Sequence, residues 1–267
     1  MPSFLESNLE FIKYAPAFFA LSISLFMGFG WLFGRHRIKK SGKTSVVVRD
    51  SLAAAIYGLS ALVLSFTFSN ASNHYDTRIE AVRTQATAIK GVYLSTSYLQ
   101  TADQTSIKKS LLDLLDLRLS AYKDNKTIHD ADLGTEKIST LVRQINEAVA
   151  NAYLNAPSSS KYLAGEILAP QMGNLVTVFN AGAVKFKSHP PRLLMRFLYL
   201  LLCIGGLLIG YTMAVRDESD WFLAVIYLLT MGVGLQVILS LENPTLLMSY
   251  EELNKDLLHL REFFSSL

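Results

Sequence analysis

Five histidines (His36, His74, His129, His189 and His259) and one cysteine (Cys203) are the side chains of this sequence best suited to ligate a metal or act as a nucleophile. No two of them stand at the i, i+4 or CxxC spacing that brings ligands to one metal, so no metal site is expected. Cys203 lies inside an apolar run, where burial keeps a thiol inert. The acidic pairs Asp113/Asp116 and Glu136/Glu147 are spaced like solvated helix faces and have no neighbouring histidine. Without a nucleophile elbow, phosphate loop, zinc helix or dinucleotide fingerprint, an enzyme is the weaker reading and no cofactor is expected. What remains is the string Ser65-Phe66-Thr67-Phe68-Ser69-Asn70. Hydroxyls and an amide interleaved with two phenylalanines can line a water-filled path and narrow it with apolar rings.

The elements that carry this string are greasy. The chain has 267 residues, of which 51% are hydrophobic and only 18% charged. That deficit of charge against an ordinary soluble chain points to lipid-facing segments. Four runs have the length that crosses a bilayer core. They are Ala15–Gly34, Ser51–Ser69, Leu193–Val215 and Trp221–Leu241. The first is followed, not preceded, by its basic cluster, so it reads as a retained anchor rather than a signal peptide. Trp31, Tyr211 and Trp221 fall near span ends, where aromatic rings favour the interface. The short turn Arg216–Asp220 makes the last two runs an antiparallel hairpin.

Apart from Arg196, close enough to a span end to snorkel, the runs hold no ionisable side chain. Proton relays and voltage sensors need charge at depth, so neither is expected. Small residues at four-residue spacing are present instead: Ala54 and Gly58, then Ala61, Ser65, Ser69 and Asn73, and Gly206 and Gly210; the fourth run adds Gly232, Gly234 and the amide Gln236. Such spacing lets helices approach closely. Ala54, Gly58, Gly206, Gly210, Gly232 and Gln236 are therefore candidate helix-packing positions, and Ser65–Asn70 candidate pore-lining or neck positions.

Between the second and third runs, apolar residues recur three and four apart. Ile79, Val82, Ala86, Ile89 and Tyr93 follow the second run with no Gly or Pro between, so that helix is expected to continue unbroken out of the membrane. Ile107, Leu111, Leu115 and Tyr122 mark a further helix capped by Thr101 or Asp103. Asp124, Asn125 and the Gly134 region read as loop. A helix from Thr135 through Ile138, Leu141, Ile145, Val149 and Tyr153 stops before Pro157. A last one carries Leu163, Ile167, Leu175 and Phe179, with a kink or break expected at Pro170. The tail alternates Leu253, Leu257, Leu258, Leu260 and Phe264 with mixed charge, which favours packing on this domain or on a neighbouring copy over a membrane surface. The expected fold is all-α and polytopic, with four transmembrane helices and a helical domain inserted between the second and third. Its parts are 1–71, the first two spans; 72–191, the soluble helical domain; 192–242, the hairpin; and 243–267, the amphipathic tail.

Several stretches resemble the bacterial bestrophin-like membrane proteins: Arg35-His36-Arg37 after the first span, Phe68–Leu99, Asn180–Pro191, and Leu241-Glu242-Asn243-Pro244 after the fourth. Glu242 and Thr245 depart from that family's acidic and aromatic positions. The resemblance implies assembly around an axis, as a pentamer, with a pore lined by the second span and an apolar neck at Leu64–Ser69, passing a small anion. The calcium clasp of animal bestrophins has no counterpart, since Asn243-Pro244 is followed by Thr245-Leu246-Leu247-Met248 rather than carboxylates.

The expected partners are the lipid bilayer, further copies of the chain and a small anion; a net charge of +3 without a basic patch argues against nucleic acid. The expected place is the cell membrane, inner or plasma. Six Lys or Arg between Arg35 and Arg49 put that loop in the cytoplasm and the helical domain outside, whereas the bestrophin resemblance puts the domain in the cytoplasm. An alternative reading from a different class is a non-conducting scaffold or sensor, which binds a partner through its soluble helices and buries Ser65–Ser69 against its own spans.

Overall fold

The computed structural model describes residues 14–41, 50–124, 128–187, 192–217, 220–244 and 248–266. Lys13, Lys43, Arg49, Asn125, His189, Pro190, Pro191, Glu218, Ser219 and Thr245–Leu247 lie outside them. Among the described residues no strand occurs. The helices, in chain order, are α1 (Ala15–Ser41), α2 (Asp50–Ser95), α3 (Thr101–Asp124), α4 (Ile128–Leu154), α5 (Lys161–Leu163), α6 (Ala169–Lys187), α7 (Arg192–Arg216), α8 (Trp221–Glu242), α9 (Tyr250–Leu253) and α10 (Lys255–Ser265).

Four of these, α1, α2, α7 and α8, are long and apolar enough to cross a membrane, which marks the chain as a multi-pass membrane protein. Their most apolar windows are only 22, 17, 39 and 22% buried within the protein. So much bare hydrocarbon would be untenable in water and is at home in lipid. The helix α2 is a single element of 46 residues, with no reversal after Ser69.

The described chain divides into two compact units. One comprises residues 10–74 and 189–246. Here α1 and α7 run parallel along a glycine seam. A Cβ on Gly206 would stand 2.9 Å from the Ile23 carbonyl oxygen and one on Gly34 2.7 Å from Ala214 Cβ, while Cβ atoms on Gly30 and Gly210 would collide with the carbonyl oxygens of Leu207 and Met27. Close backbone approach of this kind is what small residues permit between spans. The turn after α7 opens with Asp217 at φ 58°. The side chain of Asp220 then caps α8 by accepting from the Leu223 N–H at 3.2 Å. Ile23, Val63, Ala71, Leu198, Leu202, Leu235 and Ile238 form this unit's core.

The other unit comprises residues 75–188 and 247–267. Val82, Ile89, Leu111, Leu115, Ile145, Val149, Leu175 and Phe179 share one core with Leu257, Leu260 and Phe264 of α10. The tail therefore packs into the helical bundle. Phe264 stacks on Tyr93 at 4.0 Å, Arg261 pairs with Asp116 at 3.0 Å and Arg83 with Asp256 at 3.5 Å.

One local expectation is corrected, and another takes a definite form. Gly134 lies inside α4, which starts at Ile128 rather than Thr135; one glycine costs a helix only about 1 kcal/mol, less than a long packed face returns. The break expected at Pro170 falls just before it, where α5 ends at Leu163 and α6 begins at Ala169. A π-turn, Ala164–Leu168, separates them, with the Ala169 N–H donating to the Ala164 carbonyl. The wider turn rotates Leu163 outward to 41% exposure, and Ala164, Leu168 and Met172 take the core positions.

Within the bundle, Arg118 donates from Nε to Gln85 Oε1 at 2.9 Å, and both side chains are buried. Gln85→Leu removes this charge-assisted acceptor from a low-dielectric site. It is expected to lower local stability by about 1.5–3 kcal/mol, read by hydrogen exchange of α2 and α3 amides in the full chain. Unchanged exchange would mean the bond contributes nothing.

Candidate functional site

The second span places its side chains by simple helical geometry. Successive residues turn by about 100°, so Ala54, Gly58, Ala61, Ser65 and Ser69 form one narrow stripe along α2. All five are exposed in the unit. The opposite face, Ser60, Val63, Thr67 and Ala71, is buried. Phe66 and Phe68 stand on either flank of the stripe, 61 and 47% exposed.

The six candidate neck residues therefore divide. Ser65, Phe66, Phe68 and Ser69 face away from the neighbouring spans, and Asn70 is half-buried. Thr67 lies on the buried face, where its hydroxyl donates to the Val63 carbonyl at 2.7 Å. A threonine that bonds back to its own helix is a satisfied core residue and needs no water.

The packing candidates divide as well. Gly206 and Gly210 form half of the α1–α7 seam. A Cβ on Gly58 or Gly232 would meet nothing within 4 Å, and Ala54 and Gln236 are exposed. These four do not pack against the protein's own spans. Spacing shows that a face is small; it does not show what lies opposite. The other half of the seam, Gly30-Trp31-Leu32-Phe33-Gly34, was missed by sequence reasoning, although it has the same four-residue spacing as Gly206 and Gly210.

Phenols hydrogen-bond to α7 from both α2 and α8. Tyr57 donates to the Gly205 carbonyl at 3.4 Å and Tyr227 to the Leu202 carbonyl at 3.3 Å. The Tyr57 bond, with the buried Val63 and Ala71, holds one face of α2 inward and so sets which face points out. Glu242 ends α8 as a buried residue, so a carboxylate sits at the margin of the fourth span. Among the described residues no three His, Cys, Asp or Glu side chains are gathered as a metal would require.

Searches against protein-family models, curated proteins and solved structures found no match to this chain.

Proposed function

We propose that the chain assembles with further copies of itself in the membrane and conducts a small anion along the outward stripe of α2. One observation carries this reading. The hydroxyls of Ser65 and Ser69 point away from the protein's own spans, on the exposed stripe of α2. Polar hydroxyls turned toward hydrocarbon are unfavourable, and a shared aqueous path relieves that cost. The small residues allow close approach of neighbouring helices, and Phe66 and Phe68 supply an apolar constriction beside the hydroxyls. Assembly as a pentamer in the cell membrane is the arrangement that the bestrophin resemblance adds.

Chloride or iodide flux from proteoliposomes tests this proposal. Wild-type protein is expected to conduct, and Phe66→Ala to conduct severalfold faster as the constriction widens and wets. Absence of flux from pure oligomer would overturn the reading.

The alternative, a non-conducting scaffold, draws on a different observation. In the helical bundle Leu154, Tyr162 and Leu163 are 67, 75 and 41% exposed, which suits a partner surface. Complete loss of flux with an intact assembly would favour it.

A further inference from the structure

The glycine seam has an electrostatic consequence. Because α1 and α7 run parallel, their C-terminal ends lie side by side: Gly34 meets Ala214, and Arg37 donates from its guanidinium to Tyr211 Oη at 3.2 Å. Arg35, His36, Arg37, Lys39 and Lys40 leave α1 at this level, and Arg216 ends α7 there. All six are exposed. By sequence the adjoining turn carries three acids, Asp217, Glu218 and Asp220, and Asp220 is engaged by the Leu223 N–H.

Two of the cations are held by rings of the kind that settle at the headgroup level. Arg35 lies over the Trp31 ring at 4.1 Å from its centroid, and Arg37 is bonded to Tyr211. Lys39 and Lys40 stand in the last turn of α1 and complement its dipole, as any cation there would. Arg35 and Arg37 sit about a turn earlier, where the dipole asks for less. A charge needed only to orient the chain in the membrane requires no ring to hold it.

We propose that the paired C-terminal ends of α1 and α7 form a binding surface for the phosphate headgroups of anionic phospholipid. Arg35 and Arg37 are its positioned cations, and Lys39, Lys40 and Arg216 surround them. A guanidinium offers a planar fork that matches a phosphate, and each cation at an anionic surface contributes enough to raise occupancy about fivefold. Charge complementarity selects the occupant: a headgroup stays at this depth beside the helices, whereas a soluble anion must leave water to reach it. The surface does not depend on whether α2 conducts.

The test uses the full chain in phosphatidylcholine vesicles with a minority of spin-labelled phosphatidylglycerol, measuring its enrichment at the protein over labelled phosphatidylcholine. Wild type is expected to enrich it, and Arg35→Gln/Arg37→Gln to lose about fivefold for each cation removed. Lys109→Gln/Lys137→Gln, an equal charge change in the helical bundle, should keep the wild-type enrichment. Inorganic phosphate in millimolar excess should not displace the lipid. Equal enrichment in both variants, no enrichment in wild type, or displacement by phosphate would each overturn the proposal. Should the arginine variant fail to fold, Lys39→Gln/Lys40→Gln carries the same test with the same outcomes.

Discussion

Gly210→Ala should lose the α1–α7 pair. The added methyl would collide with the Met27 carbonyl and stand 2.9 Å from the Trp31 nitrogen, both of them backbone atoms that no rotamer change can move aside. The helices must separate along the seam, at a cost of about 3 kcal/mol or more. Gly30→Ala meets the Leu207 carbonyl from the other side and should behave alike. The internal control is Gly28→Ala on the same helix. Its methyl would meet nothing within 4 Å, and alanine favours a helix over glycine by up to about 1 kcal/mol. Denaturant titration in micelles, followed through tryptophan fluorescence, should show Gly28→Ala at or above wild type with Gly30→Ala and Gly210→Ala far below. Equal loss at Gly28 would remove the seam as the cause.

Phe264→Ala should have the next largest effect. This ring stacks on Tyr93, far away in sequence, and is buried with Leu257 and Leu260. Removing it leaves a cavity in the bundle core, which costs about 3–5 kcal/mol. Arg261→Ala, one turn earlier, breaks the ion pair with Asp116, whose two side chains are more than half exposed. Such a pair is worth less than about 1 kcal/mol, because water and salt screen it. Hydrogen exchange of α3 and α4 amides in the full chain separates the two. Comparable losses would mean that α10 is held by charge rather than by packing.

Those two sites differ in how far the sequence foretold them. Tail residues Leu257, Leu260 and Phe264 stand at helical spacing, so the buried face was legible. Its two candidate destinations, the domain and a neighbouring copy, were not separable, because an amphipathic face carries no address. The long α2 was legible from the absence of any Gly or Pro between the end of the second run at Ser69 and Ile79. The start of α4 was not, because Gly134 reads locally as a stop and only tertiary packing outweighs it. Pro170 signalled an irregularity, yet a π-turn and a kink are equally compatible with one proline, and the choice depends on neighbours. On α2, Thr67 and Ser65 are equivalent by residue type; only the inward pull of Tyr57 and the buried Val63 and Ala71 shows that one hydroxyl faces in and the other out. Gly58 and Gly206 were likewise indistinguishable until the surfaces opposite them were known.

The outward stripe of α2 is the claim on which the functional reading stands, and thiol accessibility addresses it directly. In a Cys203→Ala background, Ser65→Cys, Ser69→Cys and Thr67→Cys are each treated in proteoliposomes with a charged, water-borne thiol reagent while anion flux is recorded. An aqueous path along the stripe predicts fast modification and blocked flux at positions 65 and 69, with position 67 unreactive. Protection of 65 and 69, or equal reaction at all three positions, would contradict it.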